Sequence, residues 1–218
     1  MATRRVEGSG KEFTIGKIIC LARNYSEHAR ELGNETPTAP VLFMKPASSV
    51  IADGETVRIP LYSDECHYEV ELAVLIGSRV SGIAPQQAME CVAGYGVAID
   101  MTLRDVQNML KAKGLPWEIA KGFDTACPLS DFVPPDAVQD PHDLTLRLSV
   151  NGEVRQHGNS SDMIHRVPQI ISHIASIFTL EPGDVILTGT PAGVGKVRQG
   201  DVMDAEIPGV STLKIRVQ

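Results

Sequence analysis

His67-Tyr-Glu-Val-Glu-Leu-Ala-Val-Leu-Ile76 is an apolar run with two acids set into it, Glu69 and Glu71. Aliphatic and β-branched residues at this density, stopped by Gly77 and Ser78, predict a strand over Tyr68–Ile76. Side chains two apart in a strand leave from one face, so both carboxylates point the same way from a segment whose other side is buried. Like charges in that arrangement repel, and a carboxylate buried without a partner carries a heavy desolvation penalty. A divalent cation between the two removes both costs. The alternative is a solvent-facing alternation, with Glu69 and Glu71 wet and Val70 and Leu72 in the core.

Further strands are predicted at Ile18–Leu21, Val41–Met44, Thr56–Ile59, Tyr95–Met101, Leu144–Val150, Val154–Gln156, Val185–Thr188, Val202–Ile207 and Thr212–Val217, each bounded by Gly, Pro, Asn or Asp. Asn151-Gly152 is a type I′ hairpin signal, and Pro208-Gly209 marks a second turn. Three helices are predicted. Leu103–Lys113 follows a Thr102 cap, with Asp105 three residues on, and stops at Gly114, with Leu103, Val106 and Leu110 inward. Val167–Phe178 has Pro168 in its first turn and Ile170, Ile171, Ile174 and Ile177 on its apolar face. Pro85–Ala93 is the third and shortest. Many strands without regular β-α alternation place the fold in the α+β class, β-rich with a few peripheral helices. Residues 1–17 read as a frayed lead-in with one short edge strand, followed by a single domain over 18–218.

The 218 residues carry a formal charge of -7 and no basic stretch, which argues against nucleic acid or an anionic membrane as the main partner. The longest apolar runs fall far short of the roughly 18 to 20 residues that span a bilayer. No hydrophobic signal core is seen at the start, so a soluble, cytoplasmic protein with a small substrate is expected. Cys20, Cys66, Cys91 and Cys127 form no C-x-x-C pair, and reduced, buried thiols are the expectation.

Asp100 ends the strand Tyr95-Gly-Val-Ala-Ile-Asp100 and is either a helix cap or a third acid beside Glu69 and Glu71. Three carboxylates with no obligatory Cys or His describe a hard-cation site of the Mg²⁺, Mn²⁺ or Ca²⁺ type. His28 and Glu31 share a face if their segment is helical, and the carboxylate then orients the imidazole as a base. Otherwise they are an exposed pair worth little. Lys121, in Pro116-Trp-Glu-Ile-Ala-Lys-Gly-Phe123, is flanked by apolar residues and reads as a partly enclosed ammonium able to hold an anion. Arg104 and Gln107 sit on the first turn after Asp100, within reach of a carboxylate ligand. Thr188-Gly-Thr-Pro-Ala-Gly-Val-Gly195 matches neither nucleotide-binding glycine motif. Its backbone N–H groups and the Thr190 hydroxyl could still grip one carboxylate of a small acid.

In order, Arg23-Asn-Tyr…His28…Glu31, Leu42-Phe-Met-Lys-Pro46, His67-Tyr-Glu-Val-Glu71, Asp100-Met-Thr-Leu-Arg-Asp-Val-Gln107, Gly114-Leu-Pro-Trp117, Ala120-Lys-Gly-Phe123 and Leu187-Thr-Gly-Thr-Pro-Ala-Gly-Val-Gly195 resemble the fumarylacetoacetate hydrolase family. The match is closest to its short, single-domain, acylpyruvase-type members. The resemblance implies a mixed β-roll, usually a homodimer, with Mg²⁺ or Mn²⁺ on Glu69, Glu71 and Asp100. It further implies a water-activating His28–Glu31 pair on a lid segment, a catalytic Lys121, and substrate contacts at Arg23, Arg104, Gln107 and Thr190. The additional N-terminal domain and further aspartate ligand of the longer fumarylacetoacetate hydrolases are not visible, so fumarylacetoacetate itself is not the expected substrate. The implied reaction is hydrolysis of a C–C bond in a 3-acylpyruvate such as acetylpyruvate or fumarylpyruvate. Oxaloacetate decarboxylation, and the isomerase or hydratase steps of aromatic degradation, are the alternatives. A non-catalytic binding or scaffold protein is the reading from another class.

Overall fold

The computed structural model describes residues 2–31, 33 and 37–218. The chain opens with a hairpin, β1 (Thr3–Val6) and β2 (Lys11–Thr14), then passes through β3 (Ile18–Ala22), a six-residue helix α1 (Ser26–Glu31) and β4 (Val41–Lys45). Short strands β5 (Val50–Ile51), β6 (Thr56–Val57) and β7 (Cys66–Tyr68) lead to the central pair, β8 (Val70–Ile76) and β9 (Val92–Ile99). After β10 (Thr102–Leu103) come helices α2 (Arg104–Lys113) and α3 (Glu118–Lys121) and strand β11 (Cys127–Pro128). Then follow the hairpin β12 (Thr145–Val150) and β13 (Glu153–Asn159), helix α4 (Val167–Ala175), and β14 (Val185–Leu187), β15 (Gly195–Lys196), β16 (Val202–Ile207) and β17 (Ser211–Val217).

Two five-stranded mixed sheets carry the architecture, in the orders β4-β3-β14-β8-β9 and β13-β12-β16-β17-β6. This is the α+β, β-rich class expected from the sequence. β8 runs through the first sheet between β14 and β9, both antiparallel to it, and every one of its residues is buried. A strand covered on both faces reads as a continuous apolar run, as the quoted stretch does. Val70, Leu72, Val74 and Ile76 enter the larger core with Tyr95, Val97 and Ile99. Ala73, Leu75 and Ala98 enter a second cluster with Ile18, Val185 and Phe132. On that second side β9 bears Gly94 and Gly96, where a Cβ would come 2.6 Å from the Val133 carbonyl oxygen and 2.9 Å from Ser130 Oγ. Only glycine lets the segment around residues 130–133 lie so close.

The register of this pair builds the site. Val70 faces Ile99 and Glu71 faces Ala98, and Asp100 N–H donates to the Glu69 carbonyl at 2.8 Å, which continues the ladder by one pair. Glu69 and Glu71 are two apart and Asp100 is opposite Glu69, so all three side chains leave the same face at one end of the pair.

Several local expectations are corrected. Residues 2–14 are a hairpin rather than a frayed segment, because Arg4, 8% exposed, donates to the carbonyls of Leu129 (2.9 Å) and Ile51 (2.8 Å) and so docks it on the domain. The helix expected at Pro85–Ala93 is only a 3-10 turn over Ala88–Cys91, since Val92 and Ala93 already belong to β9, where Val92 pairs with Ile76. Helix α4 ends at Ala175, which leaves Ile177 55% exposed while Ile170, Ile171 and Ile174 are buried as expected. The cap of α2 is Leu103 with no side-chain bond, and Asp105 instead accepts from Ser63 Oγ (2.6 Å) and Asp64 N–H (2.9 Å). Its other end matches expectation: Gly114, at φ 62°, takes the left-handed cap that stops the helix. Asn151 and Gly152 both have positive φ, as a type I′ turn requires. All four cysteines are free and buried.

Arg4→Met removes the side-chain donors to the Leu129 and Ile51 carbonyls, of which Ile51 keeps the Leu129 N–H at 3.0 Å, and is expected to cost about 1–3 kcal/mol in urea unfolding, with faster amide exchange over Thr3–Val6. Unchanged exchange there would show that the hairpin docks by other contacts.

Candidate active site

Glu69, Glu71 and Asp100 are 4%, 1% and 0% exposed, which rules out the solvent-facing alternation. One ligand oxygen from each lies within 4.8 Å of the others. Oxygens on opposite sides of a six-coordinate Mg²⁺ are about 4.2 Å apart, and those around Ca²⁺ nearly 5 Å. The triad therefore needs little movement to share one cation, and its all-oxygen donor set suits a hard one.

Burying three acids demands compensation, and the surrounding elements provide it. Lys121, carried by α3 and 2% exposed, places Nζ 2.9 Å from Glu69 Oε2, 2.6 Å from Asp100 Oδ2 and 2.6 Å from Thr102 Oγ1. The enclosure expected of this lysine is complete. Arg104 donates to Glu69 Oε1 and, at 2.7 Å, to Gln107 Oε1. Lys45, at the end of β4, lies 2.7 Å from Asp100 Oδ1 and donates to the carbonyls of Met101 (3.1 Å), Ala126 (3.0 Å) and Lys121. Asp100 is thus an ion-pair partner and not a helix cap.

These contacts divide the acids electrostatically. Burial opposes ionisation of Glu69, but the Lys121 and Arg104 charges outweigh it and hold the carboxyl well below its usual range. The Lys121 ammonium is likewise penalised by burial, and Asp100 and Glu69 more than restore it. Among the described residues, Glu71 accepts only from the Gly189 N–H, at 2.6 Å. Burial and the neighbouring Asp100 and Glu69 charges push its carboxyl well above the ordinary value. Glu71 is the acid a divalent cation would relieve most, so the donor set fits such an ion.

His28 and Glu31 form a pair on α1. His28 is 5% exposed, with Nδ1 3.3 Å from Glu31 Oε2, so the imidazole departs from the exposed-pair reading while Glu31 stays exposed. Glu31 is also held by the Gly193 N–H, 3.1 and 3.2 Å from its two oxygens. Gly193 has φ 96°, and a Cβ there would come 2.2 Å from the Arg155 carbonyl, so this donor position admits only glycine.

A cavity of about 40 Å³ is lined by Arg23, His28, Glu69, Glu71, Arg104, Gln107, Lys121 and Thr190, with Phe43 and Trp117 on its apolar side. Asp100 and Glu31 stand behind this lining, bonded to Lys121 and His28. All ten residues singled out in the sequence therefore meet at one place. The Thr190 hydroxyl accepts from Gln156 Nε2 (2.8 Å), whose Oε1 accepts from Val70 N–H (2.9 Å), and this fixes the glycine-rich loop to β8. The free N–H donors expected of that loop are engaged at Gly189 and Gly193, on Glu71 and Glu31.

Sequence reasoning missed Lys45, Thr102, Gln156 and the two backbone donors. Lys45 carried the signal that marked Lys121, a lysine inside an apolar run. Gln156 and the amides carried none, because their partners are 34 to 162 residues away in sequence.

Residues 17–218 match the family model described as Fumarylacetoacetate (FAA) hydrolase C-terminal. The chain belongs to the fumarylacetoacetate hydrolase family. It is 49% identical over 201 residues to "Oxaloacetate tautomerase FAHD1, mitochondrial" of Bos taurus, covering 92% of this chain and 91% of the relative. It is 49% identical over 197 residues to "Oxaloacetate decarboxylase, mitochondrial" of Dictyostelium discoideum, covering 90% of each. Its fold is similar to the crystal structure of fumarylpyruvate hydrolase from Pseudomonas aeruginosa in complex with Mn²⁺ and pyruvate, with TM-score 0.94 and 38% identity over 99% of this chain and 95% of that one. The protein is an enzyme of this family. The cytoplasmic location expected from its sequence is overturned by these relatives, which are named as mitochondrial.

Lys45→Met removes a fully buried ammonium and leaves Asp100 and three carbonyls short of a partner. A loss of about 3–5 kcal/mol is expected in denaturant unfolding. A change below about 1 kcal/mol would mean that Lys45 does not carry this end of the sheet.

Proposed function

We propose that this protein interconverts the keto and enol forms of oxaloacetate, with loss of CO₂ from oxaloacetate as a companion reaction of the same site. One observation carries the reading: one cavity is lined by a buried imidazole, oriented by the Glu31 carboxylate, and by a buried ammonium bonded to two of the three acids. These are proton-transfer and charge-stabilising groups around room for a small acid. The relatives named oxaloacetate tautomerase and oxaloacetate decarboxylase support the substrate, and the Mn²⁺–pyruvate complex of the fumarylpyruvate hydrolase supports a 2-oxo acid beside a metal.

Glu69, Glu71 and Asp100 would hold Mg²⁺ or Mn²⁺, which when bound supplies Lewis-acid polarisation of the 2-oxo group. The remaining work belongs to the chain. Glu31 accepts the His28 Nδ1–H and so fixes the neutral tautomer with Nε2 as the base. His28 takes a proton from C3 in the keto-to-enol direction and returns it in the reverse. As the C3–H electron pair moves toward the 2-oxygen, Lys121 holds the charge that develops there, and that oxygen takes a proton from water to give the enol while His28 returns its proton to solvent. Arg104, Gln107 and Thr190 orient the C1 carboxylate from the cavity wall. In the companion reaction the C3–C4 bond breaks, its electron pair passes to the same oxygen, and CO₂ departs without any base having acted.

Acylpyruvate cleavage, with His28 deprotonating a water, is the second reading. The fumarylpyruvate hydrolase structure favours it. The oxaloacetate enzymes, at higher identity, favour the first.

His28→Ala is expected to slow ketonisation of enol-oxaloacetate, followed by ultraviolet absorbance, by about 10²-fold or more. Pyruvate release from oxaloacetate should change only severalfold, and chelation should abolish both activities. A kcat/KM for acetylpyruvate above that for oxaloacetate would restore the hydrolase reading. Glu71→Gln removes an anionic donor and should weaken Mn²⁺ binding in calorimetry by roughly 10-fold or more. Undiminished Mn²⁺ affinity would place the cation elsewhere.

A further inference from the structure

Gln156 is the one buried residue of β13, 0% exposed on a strand whose other residues reach solvent wholly or in part. A bulge puts it there. Leu148 faces Gln156 while Ser149 faces Val154, so Arg155 is an extra residue, and such an insertion re-aims the side chain beside it. The inward glutamine meets the glycine-rich loop, which is seated on the same stretch of β13. Gly193 lies against the Arg155 carbonyl, and Pro191 lies against Gly158, where a Cβ would come 2.4 Å from Pro191 Cβ.

The hydrogen bonds leave the amide of Gln156 a single orientation. Val70 N–H can only donate, so the atom 2.9 Å from it is Oε1. The Pro191 carbonyl can only accept, so the atom 2.9 Å from it is Nε2. The other Nε2 proton goes to Thr190 Oγ1 at 2.8 Å. A hydroxyl that has accepted from an amide still has its own proton to give. Thr190 gives it to no acceptor among the described residues; it is 2% exposed and lines the same cavity as Glu71 and Lys121. A hydroxyl set as a donor suits an anionic oxygen, because hydrogen bonds to charged acceptors are the stronger ones. Val70 stands between Glu69 and Glu71, so the same amide also fixes this donor relative to the metal-site acids.

We propose that Gln156 is a positioning residue for the reaction, acting through Thr190. It does not meet the substrate; it holds the Thr190 hydroxyl as a proton donor toward an anionic oxygen of the carboxylate–oxo head, in register with the three acids. This rests on the function proposed above, in which Thr190 orients that carboxylate. A head gripped at once by a cation and by the loop needs the two to stay in register, and Gln156 is bonded both to the acid-bearing strand and to the loop.

Calorimetry with oxalate on the Mn²⁺-loaded protein reads this without turnover, since oxalate carries the vicinal oxygens of the head and does not react. Thr190→Val is expected to weaken oxalate roughly tenfold. Gln156→Met should cause most of that loss in the wild-type background and less than about twofold in the Thr190→Val background, because its effect passes through the hydroxyl. Gln156→Glu keeps the volume and the acceptor for Val70 N–H but has fewer protons to give. It guards against misfolding of the apolar variant and should show the same dependence on Thr190. In turnover, Gln156→Met should raise KM for oxaloacetate with kcat within severalfold, whereas a merely structural role lowers the active fraction and so kcat at unchanged KM. Equal losses of oxalate affinity in the two backgrounds, or undiminished affinity in a folded Gln156 variant, would overturn the proposal. A wild-type protein without oxaloacetate turnover would contradict the reaction, and the oxalate cycle would still read Gln156.

Discussion

Three carboxylates taken out of water at the end of one strand pair set the terms for everything around them. Glu69, Glu71 and Asp100 are placed by ladder register and strand period, with no freedom to turn toward solvent. Left alone they would repel and neutralise. The fold answers with Lys45 from β4, Lys121 from α3, Arg104 from α2 and an amide from the glycine-rich loop, each brought from a different part of the chain. The same convergence that stabilises the acids walls the cavity. Stability and chemistry therefore share residues here.

The compensation is incomplete in a directed way. Glu69 is held ionised by two cations, Asp100 contacts two lysines, and Glu71 meets, among the described residues, a single backbone donor. A divalent cation supplies what Glu71 lacks. Opposite, Glu31 receives His28 and the Gly193 amide together, so the loop that holds a metal-site acid through Gly189 also holds the proton-transfer pair through Gly193. One loop of eight residues, Thr188 to Gly195, thus ties the two halves of the site.

Much of this was legible in the sequence because it is written in short-range period. The two-residue spacing of Glu69 and Glu71, the three-residue spacing of His28 and Glu31, and the acid at the end of the Tyr95–Asp100 run each survive folding as shared faces. Ordered motifs gave the family. Three kinds of feature were not legible. Backbone donors such as Gly189 and Gly193 have no side chain to announce them. Long-range partners such as Gln156 are chosen by tertiary packing. At the edges of elements, pairing overrode propensity: Val92 and Ala93 joined β9 instead of finishing a helix, and a buried Arg4 turned a charged lead-in into a docked hairpin.

Convergence of three acids on one cation is the claim on which the chemistry depends. Anomalous diffraction at the manganese edge, from crystals grown with Mn²⁺, tests it most directly. The expected result is a single peak within about 2.3 Å of one oxygen each from Glu69, Glu71 and Asp100. A peak at any other position, with Lys121 still bridging Glu69 and Asp100, would contradict it.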